Sequence, residues 1–248
     1  MEKLDIIVTH YHEPWSIGKK FFDMLDMQRG IDFSDFQVIL VNDGEENALP
    51  EEYFSGRPYR VKQISIDHAG VSAARNAGLK AATAEWVNFC DFDDIYANVY
   101  ALKDVLTLLP APSYDLLWAD IVCENEHTLY MEHENYVFVH GKFIRRQFLI
   151  DNEMWFDTEI WYSEDSEWCA ILDTMIDHKR VGKIKTIFPL YVWCYTPGSV
   201  TNTPGRKAEM QVCSYIRDKK VTEAFKQRMP YDRYCAMVAR MVTNTYYT

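Results

Sequence analysis

The chain has 248 residues, of which 48% are hydrophobic and 15% aromatic, enough apolar material for a packed core and against wholesale disorder. Its 26 basic and 37 acidic side chains give a formal net charge of −11, which argues against a binder of nucleic-acid polymers or of anionic membranes. A small anionic ligand is compatible with this charge, because a divalent cation can bridge two sets of negative groups.

The first half of the chain alternates strand-like and helix-like periods. Ser16 is the predicted N-cap of the first helix, and two further helices are predicted at 71–82 and 100–109. Because strands that alternate with helices imply right-handed crossovers, we expect an α/β fold with a mostly parallel sheet and helices on both faces. The predicted strands are 4–8, 36–41, 60–66, 86–90 and 116–122.

The second half of the chain is less regular. Its last predicted helix has an apolar face that is expected to pack on the core, or on a second subunit in a homodimer, rather than on a membrane. This face consists of Met237, Val238, Met241 and Val242. The predicted elements are a strand or hairpin at 128–139, a helix at 142–149, a helix after Ser163, a strand at 187–195, a loop at 196–206 and helices from 207 onward.

Cysteine usage and the N-terminus indicate a cytoplasmic protein. No cysteine pair has the two-residue spacing of a zinc or redox motif, so we expect reduced thiols. The charged N-terminus does not resemble a signal peptide, and no apolar stretch approaches the ~18 residues of a membrane helix. The cysteines are Cys90, Cys123, Cys169, Cys194, Cys213 and Cys235.

Polar side chains follow three of the predicted strands. The stretches 9–13, 42–44 and 91–94 each begin where a strand ends. In parallel sheets, ligands bind at the carboxyl ends of strands, so these stretches are expected to converge on one crevice. The glycine-rich loops that bind dinucleotides or phosphates are absent, so phosphate groups would need another partner.

Asp91 and Asp93 are candidate metal ligands. In an extended segment their side chains point to the same face, where two carboxylates can hold Mn²⁺ or Mg²⁺. The alternative is an acidic turn that caps the next helix, for which Asp94 alone would suffice. The position directly after a buried strand favours the metal site.

Three other candidates have structural alternatives that the sequence leaves open. Asp43 lies in an Asn-Asp-Gly turn, which forms whatever the function. Arg75 lies on an alanine-rich helix and requires an anion or a carbonyl as its partner, and the alternative to a functional role is a salt bridge to a nearby aspartate. Glu164 and Asp165 follow Ser163 and could either stabilise a helix N-terminus or provide a rigidly held general base.

Several motifs taken in order resemble glycosyltransferase family 2. The most specific are 67–79, with the run Val71-Ser72-Ala73-Ala74-Arg75-Asn76-Ala77-Gly78, and 86–94, with Asp91-Phe92-Asp93-Asp94. The resemblance extends over residues 4–202 and includes 9–12, 41–44, 140–146, 156–157, 163–165 and 195–200. It implies an inverting enzyme with the Rossmann-like GT-A fold. The implied domains are a transferase domain at 1–205, with a nucleotide-binding half at 1–122 and an acceptor half at 123–205, and a helical C-terminal extension at 206–248.

The resemblance also implies roles in nucleotide binding. Thr9 and Tyr11 would flank the base, and Asp43 would hydrogen-bond it, with uracil as the usual base. Arg75 would lie beside the base or the phosphates, and Asp91 would contact the ribose or the metal.

For catalysis, the resemblance implies that Asp93 is the principal ligand of Mn²⁺ or Mg²⁺. Asp165 would be the catalytic base, with Glu164 beside it. Departures from the family pattern are His10 and His12 in the opening turn, and Thr196 where many relatives have a basic residue. The diphosphate is therefore expected to meet a basic residue of a mobile loop, at Arg206 or Lys207.

The predicted function is metal-dependent, inverting transfer of a sugar from a nucleotide sugar, expected to carry UDP, to a hydroxyl of a glycan, lipid-linked or protein acceptor. A sugar nucleotidylyltransferase would need a glycine-rich opening loop, which is missing. A non-catalytic carbohydrate-binding protein would not need Asp93 and Asp165. Four tryptophans of the second half could stack on sugars or belong to the core: Trp155, Trp161, Trp168 and Trp193.

Overall fold

The computed structural model of the chain describes residues 2–133, 137–186, 188–199 and 205–228. Helices within these ranges are α1 Trp15–Asp26, α2 Val71–Ala81, α3 Ala101–Leu108, α4 Arg146–Asp151, α5 Glu164–Met175 and α6 Lys207–Arg228. The strands are β1 Leu4–His10, β2 Phe36–Asp43, β3 Arg60–Ile66, β4 Trp86–Asp91, β5 Ile95–Tyr96, β6 Leu116–Trp118, β7 Ile121–Glu124, β8 Leu129–Glu132, β9 Lys142–Arg145, β10 Val181–Lys183 and β11 Tyr191–Trp193.

Seven of these strands form a central sheet in the order β10-β6-β9-β4-β1-β2-β3. β1 pairs in parallel with β2 and β4, β2 with β3, and β6 with β10, whereas β9 lies antiparallel between β4 and β6. A smaller sheet has the order β5-β11-β7-β8. The expected α/β fold with a mostly parallel sheet is confirmed.

Helices cover both faces of the central sheet. Side chains of β1 alternate between the two, so Ile6 and Val8 pack in the core formed with α1 and α3, and Ile7 packs in the core formed with α2, α4 and α5. Such a strand is buried on both faces, which explains its continuous apolar run.

Two glycines set how closely helices approach the sheet. A Cβ at Gly78 of α2 would lie 2.3 Å from Ile7 Cγ2, so only glycine lets α2 pack this tightly. A Cβ at Gly18 of α1 would lie 2.1 Å from the ring of Phe92. The helices therefore pack directly against β1 and against the Asp91–Asp94 motif that follows β4.

The prediction of a helix at 142–149 is wrong in its first half. Lys142–Arg145 is β9, which pairs with β4 on one side and β6 on the other, and the helix begins at Arg146. A segment of four residues is too short to show a helical or a strand period, and the pairing of both its edges makes it a strand. β9 brings the second half of the chain into the same sheet as the first.

Other boundaries also differ from the predictions. The predicted strand 116–122 is two strands in different sheets, β6 and β7, because the chain crosses between sheets after Trp118. Within the described part of the predicted strand 187–195, residues 188–195, the strand is limited to Tyr191–Trp193. The N-cap of α1 is Pro14, and Ser16 lies inside the first turn. β5 and β10 are too short to give a sequence pattern.

The helix predicted to begin at 207 is confirmed as α6, which contacts α5 and has Cys213, Val221 and Phe225 buried. The apolar face predicted at 237–242 and the homodimer assigned to it lie outside the described residues, as does Cys235. The other five cysteines are buried free thiols. Across the described ranges, no helix combines the length and apolar character needed to cross a membrane.

Candidate functional site

The carboxyl ends of the central strands form one edge of the sheet. Thr9 lies level with Val41 and Asp91 in the strand register, and β2 ends two residues beyond Val41, at Asp43. β9 runs in the opposite direction, so its first residue, Lys142, lies at this edge too. The predicted convergence of the three polar stretches is therefore confirmed.

Asp43 and Tyr11 meet at the loop before α2. The buried Asp43 carboxylate accepts hydrogen bonds from the backbone amides of Ala69 (2.7 Å) and Gly70 (2.9 Å) and contacts His68 Nδ1 at 2.9 Å. The exposed ring of Tyr11 stacks on His68, with centroids 4.4 Å apart and an interplanar angle of 12°. The His68 ring thus covers one face of Tyr11 and also contacts the Asp43 carboxylate.

The opening turn after β1 is held by buried polar contacts. His10, which is 3% exposed, contacts Asn42 Oδ1 and the Glu13 carbonyl, both at 2.9 Å. The Glu13 carboxylate accepts a bond from the Tyr11 amide (2.8 Å), and His12 has a left-handed backbone with φ 62°. Thr9 is half-buried next to this turn. His10 therefore supports the turn that presents Tyr11.

Arg75 joins Asp91 to Glu164. Its guanidinium is 2% exposed and donates to Glu164 Oε1 at 2.6 Å and to Asp91 Oδ1 at 3.0 Å. The second oxygen of Asp91 lies 3.0 Å from His140 Nε2. Burial raises the pKa of Asp91, but His140 and Arg75 outweigh it and hold this pKa well below its usual range. The salt-bridge alternative for Arg75 is therefore realised, and it connects two candidate site residues.

Asp94 holds the small sheet against the central one. This fully buried carboxylate accepts hydrogen bonds from the Tyr191 hydroxyl (2.9 Å) and the Cys194 amide (2.7 Å). Burial raises its pKa well above the ordinary value. Asp91, Asp94 and His140 each bring a ligand atom within 4.8 Å of the others, a spacing that a metal ion could use. The internal hydrogen bonds of the three favour a structural network.

Asp93 lies outside that group and is half-buried. Burial, followed by the negative charge of Asp91, raises the pKa of Asp93. Burial also raises the pKa of Glu13, and Asp93 adds to this effect. The negative charges of Asp91, Asp93 and Glu13 therefore repel one another. A hard divalent cation prefers oxygen ligands and would relieve this repulsion if it bound here.

The N-terminus of α5 carries the candidate base. Ser163 is the N-cap, as predicted, but its φ of 58° is left-handed and its side chain makes no cap hydrogen bond. Glu164 is turned inward to Arg75, whereas the half-buried Asp165 accepts a bond from the Ser166 amide at 2.7 Å. No residue that the structure describes donates to Asp165 Oδ2. Of the two carboxylates, Asp165 is the one open to a substrate.

One face of α2 holds the segment that leads into α5. Asn76 exchanges two hydrogen bonds of 2.8 Å with the backbone of Phe156, and the Ser72 hydroxyl lies 3.5 Å from the Ile160 carbonyl. With Arg75, these side chains occupy positions i, i+3 and i+4 of a helix, which share a face. α2 therefore connects the two halves of the site.

Sequence reasoning missed the roles of His68 and His140. Neither belongs to a metal-ligand spacing, and a lone histidine gives little signal. For His140, the signal would have been its place just before an antiparallel strand, which returns the chain to the ligand-binding edge. Because a helix was predicted at 142–149, the strand Lys142–Arg145 was not recognised and this signal was lost.

The four tryptophans differ in how far they are buried. Trp168 is 1% exposed and stacks on Phe156 (4.7 Å, 6°), so for this residue the core alternative is correct. Trp193 is half-buried. Trp155 and Trp161 are 38% and 37% exposed, so their rings are accessible.

Glu167 on α5 should make stability depend on pH. Burial, with the charge of Asp157 adding to it and that of Lys220 opposing it, raises the pKa of Glu167 to about 7 from an ordinary 4.5. Between these values the folded state binds more protons than the unfolded state, so stability falls as pH rises from about 4.5 to 7. Glu167→Gln does not lose stability in this way. At pH 8 it is expected to melt about 2–4 °C above the parent protein, which corresponds to a gain of about 1 kcal/mol in the free energy of unfolding.

Melting curves followed by circular dichroism at pH 4.5 and pH 8 check this prediction. The difference between Glu167→Gln and the parent protein should disappear at pH 4.5, where the carboxyl is protonated in the folded state. Glu52→Gln, at an exposed position, is the control and should match the parent protein at both values. A Glu167→Gln advantage that is the same at both pH values would contradict the prediction.

A family model described as glycosyl transferase family 2 matches residues 5–162. The chain is 26% identical over 200 residues to the uncharacterized glycosyltransferase EpsJ of Bacillus subtilis, covering 71% of the chain and 57% of EpsJ. It is 27% identical over 184 residues to the poly(ribitol-phosphate) beta-N-acetylglucosaminyltransferase TarS of Staphylococcus aureus, covering 66% of the chain and 31% of TarS. The matched part of the chain thus covers a little more than half the length of EpsJ and slightly less than a third of the length of TarS.

Solved structures agree on the fold. The crystal structure of residues 1–349 of S. aureus TarS in complex with UDP superposes with a TM-score of 0.77 at 17% identity, covering 99% of this chain and 72% of that one. The mannosyltransferase PcManGT from Pyrobaculum calidifontis, in complex with GDP-Man and Mn²⁺, gives a TM-score of 0.56 at 14% identity and covers 99% and 81% of the two chains. At these identities the likeness extends to the GT-A fold alone.

Proposed function

The chain belongs to glycosyltransferase family 2, and on that premise we propose that it transfers a sugar from a UDP-linked donor to an acceptor hydroxyl with inversion at the anomeric carbon. The observation that carries this proposal is the Arg75 bridge. It holds the carboxyl end of β4, where the donor would bind, against the N-terminus of α5, where the acceptor would be activated. The UDP complex of TarS supports the choice of nucleotide.

The nucleobase would bind at Tyr11 and Asp43, with Thr9 beside it. Stacking on an exposed tyrosine and a hydrogen bond to a carboxylate are the contacts that uracil needs, since its ring is flat and it carries an imide N–H. His68 makes both contacts itself, so donor binding requires this ring to move. Because Arg75 is buried and paired, we assign it to positioning Asp91 and Glu164, rather than to phosphate binding.

A divalent cation, Mn²⁺ or Mg²⁺, would be held by Asp93, with Asp91 as the neighbouring carboxylate. When bound, it supplies positive charge that stabilises the departing diphosphate. The Mn²⁺ complex of PcManGT supports this assignment. Asp91 already has two internal partners, Arg75 and His140, and this makes Asp93 the principal ligand.

Asp165 would act as the general base. Its carboxylate takes the proton from the acceptor hydroxyl, whose oxygen attacks the anomeric carbon from the side opposite the nucleoside diphosphate. The bond to the diphosphate breaks as the new bond forms, so the configuration inverts in one displacement. A base at the first turn of a helix is held rigidly, and the Arg75 contact to the preceding Glu164 fixes that turn further.

Calorimetry with UDP and Mn²⁺ tests the donor site. The parent protein should release heat of binding that depends on the metal, and Asp93→Asn should weaken metal-dependent UDP binding at least about tenfold, because a carboxylate ligand is lost. Asp151→Asn, exposed at the end of α4, is the matched control and should bind like the parent protein. Absence of metal-dependent binding by the parent protein would refute the nucleotide-sugar function.

We also propose that residues 1–205 form the transferase domain and 206–248 a helical extension, since α6 packs on α5 as an added layer. Cytoplasmic location rests on the cysteine composition and stays a prediction. The acceptor, a glycan, a lipid-linked molecule or a protein, is likewise a prediction.

A further inference from the structure

A second cleft lies beside α5. It has a volume of about 390 Å³ and is formed by the segment 153–158 and by three residues of α5, Glu167, Trp168 and Ile171. Cavities of roughly 300–1,000 Å³ are the size that small-molecule ligands fill. Phe156 lines this cleft and also lies under the Arg75 guanidinium, 5.3 Å from its ring centroid. The cleft is therefore next to the proposed transfer site but separate from it.

The cleft contains a buried carboxylate that lacks a hydrogen-bond donor. Glu167 is only 4% exposed, and none of the described residues donates a hydrogen bond to its oxygens. The nearby cation, Lys220, pairs instead with Asp157 and with Glu159, the latter at 2.8 Å. Glu167 lines the cleft, so a ligand that donates a hydrogen bond could use its carboxylate as the acceptor.

An accessible aromatic ring lies on the wall of the same cleft. Trp155 is 38% exposed, and the ammonium of Lys80 lies 5.5 Å from its ring centroid. Thr158 adds a hydroxyl to the lining. An indole face next to hydrogen-bond acceptors matches a sugar, because a pyranose presents C–H bonds on its face and hydroxyl donors around its rim.

We propose that this cleft binds a neutral saccharide unit of the acceptor, stacked on Trp155 and donating a hydroxyl hydrogen bond to Glu167. The saccharide is neutral because an anionic sugar would place a second negative charge beside the Glu167 carboxylate. It belongs to the acceptor because the cleft is built on α5, whose first turn carries Asp165, whereas the donor site lies at Tyr11 and Asp43. This inference rests on the proposed function.

Fluorine NMR of protein labelled with 5-fluorotryptophan tests the proposal, since each of the seven tryptophans gives its own resonance. The probes are the neutral disaccharides maltose, cellobiose, lactose and N,N′-diacetylchitobiose in the millimolar range. At least one probe should shift the Trp155 resonance in a saturable way, and Glu167→Ala should weaken this binding about tenfold or more. Trp161 is equally exposed but outside the cleft, so its resonance is the internal control.

Two matched variants keep the test decisive if Glu167→Ala does not fold. Trp155→Ala should abolish disaccharide binding, whereas Trp161→Ala should leave it unchanged. A Trp155 resonance that does not respond to any probe, or that shifts no more than Trp161, would overturn the proposal. UDP and Mn²⁺ titrated into the same sample separate the two hypotheses: failed nucleotide binding refutes the proposed function, and intact nucleotide binding with a silent Trp155 refutes only the saccharide site.

Discussion

Replacing Asp165 with asparagine is expected to lower kcat for sugar transfer by about 10²–10⁴-fold, the contribution typical of a general base. The amide has nearly the same shape as the carboxylate but does not accept a proton at neutral pH. Asp165 is the outward-facing carboxylate at the start of α5. Of the other two carboxylates in that turn, Glu164 is paired with Arg75 and Glu167 lies in the separate cleft, so neither is expected to replace it. Donor binding is expected to be unchanged.

Nucleoside diphosphate release over time, measured with and without acceptor, gives the rate, and calorimetry with UDP and Mn²⁺ gives donor affinity. Asp173→Asn is the matched control, because it makes the same chemical change on the same helix at an exposed position and should keep full activity. Normal turnover by Asp165→Asn would remove Asp165 from the mechanism. Loss of both turnover and donor affinity would show that the residue has a structural role instead.

Replacing Arg75 with methionine is expected to reduce the free energy of unfolding by about 3–5 kcal/mol, the usual cost of removing one partner from a buried ion pair. The change leaves Glu164 without its cation in a buried position, and leaves Asp91 with His140 alone. Chemical denaturation followed by tryptophan fluorescence measures the loss.

The double variant Arg75→Met/Glu164→Gln is the diagnostic control for this prediction. It removes the uncompensated charge together with the cation, so it should recover a clear part of the lost stability. If the single variant loses less than about 1 kcal/mol, or if the double variant is the less stable of the two, the buried bridge does not contribute as described.

The edge of the sheet could be predicted because it follows from local patterns. Continuous apolar runs identify buried strands, and each is followed directly by polar residues, so the positions of Asp43 and Asp91 follow from chain order alone. The fold class follows from the same alternation of strands and helices. Short strands such as β9 and β10 could not be predicted, since three or four residues carry no periodicity and their pairing is decided by distant partners.

The residues that contact the candidate site residues could not be predicted from local sequence patterns either. The sequence identifies Arg75 as a cation that needs an anion, but Asp91 and Glu164 are both reached only after the chain has folded back. The occupation of Tyr11 and Asp43 by His68 depends on a loop whose course is set by glycine at position 70, with φ 90°. Residue type indicates chemistry, whereas tertiary contacts determine which atoms remain open to a ligand.

The Arg75 bridge closes a loop of 89 residues, and the Cys194–Asp94 hydrogen bond closes one of 100. Contacts between residues so far apart in sequence are expected to form late in folding, because closing a long loop costs chain entropy before the contact stabilises the structure. During synthesis, the ribosome would release the complete donor-binding edge well before α5 emerges, so a nascent chain could not yet activate an acceptor. Catalytic competence would therefore be among the last properties that the folding chain acquires.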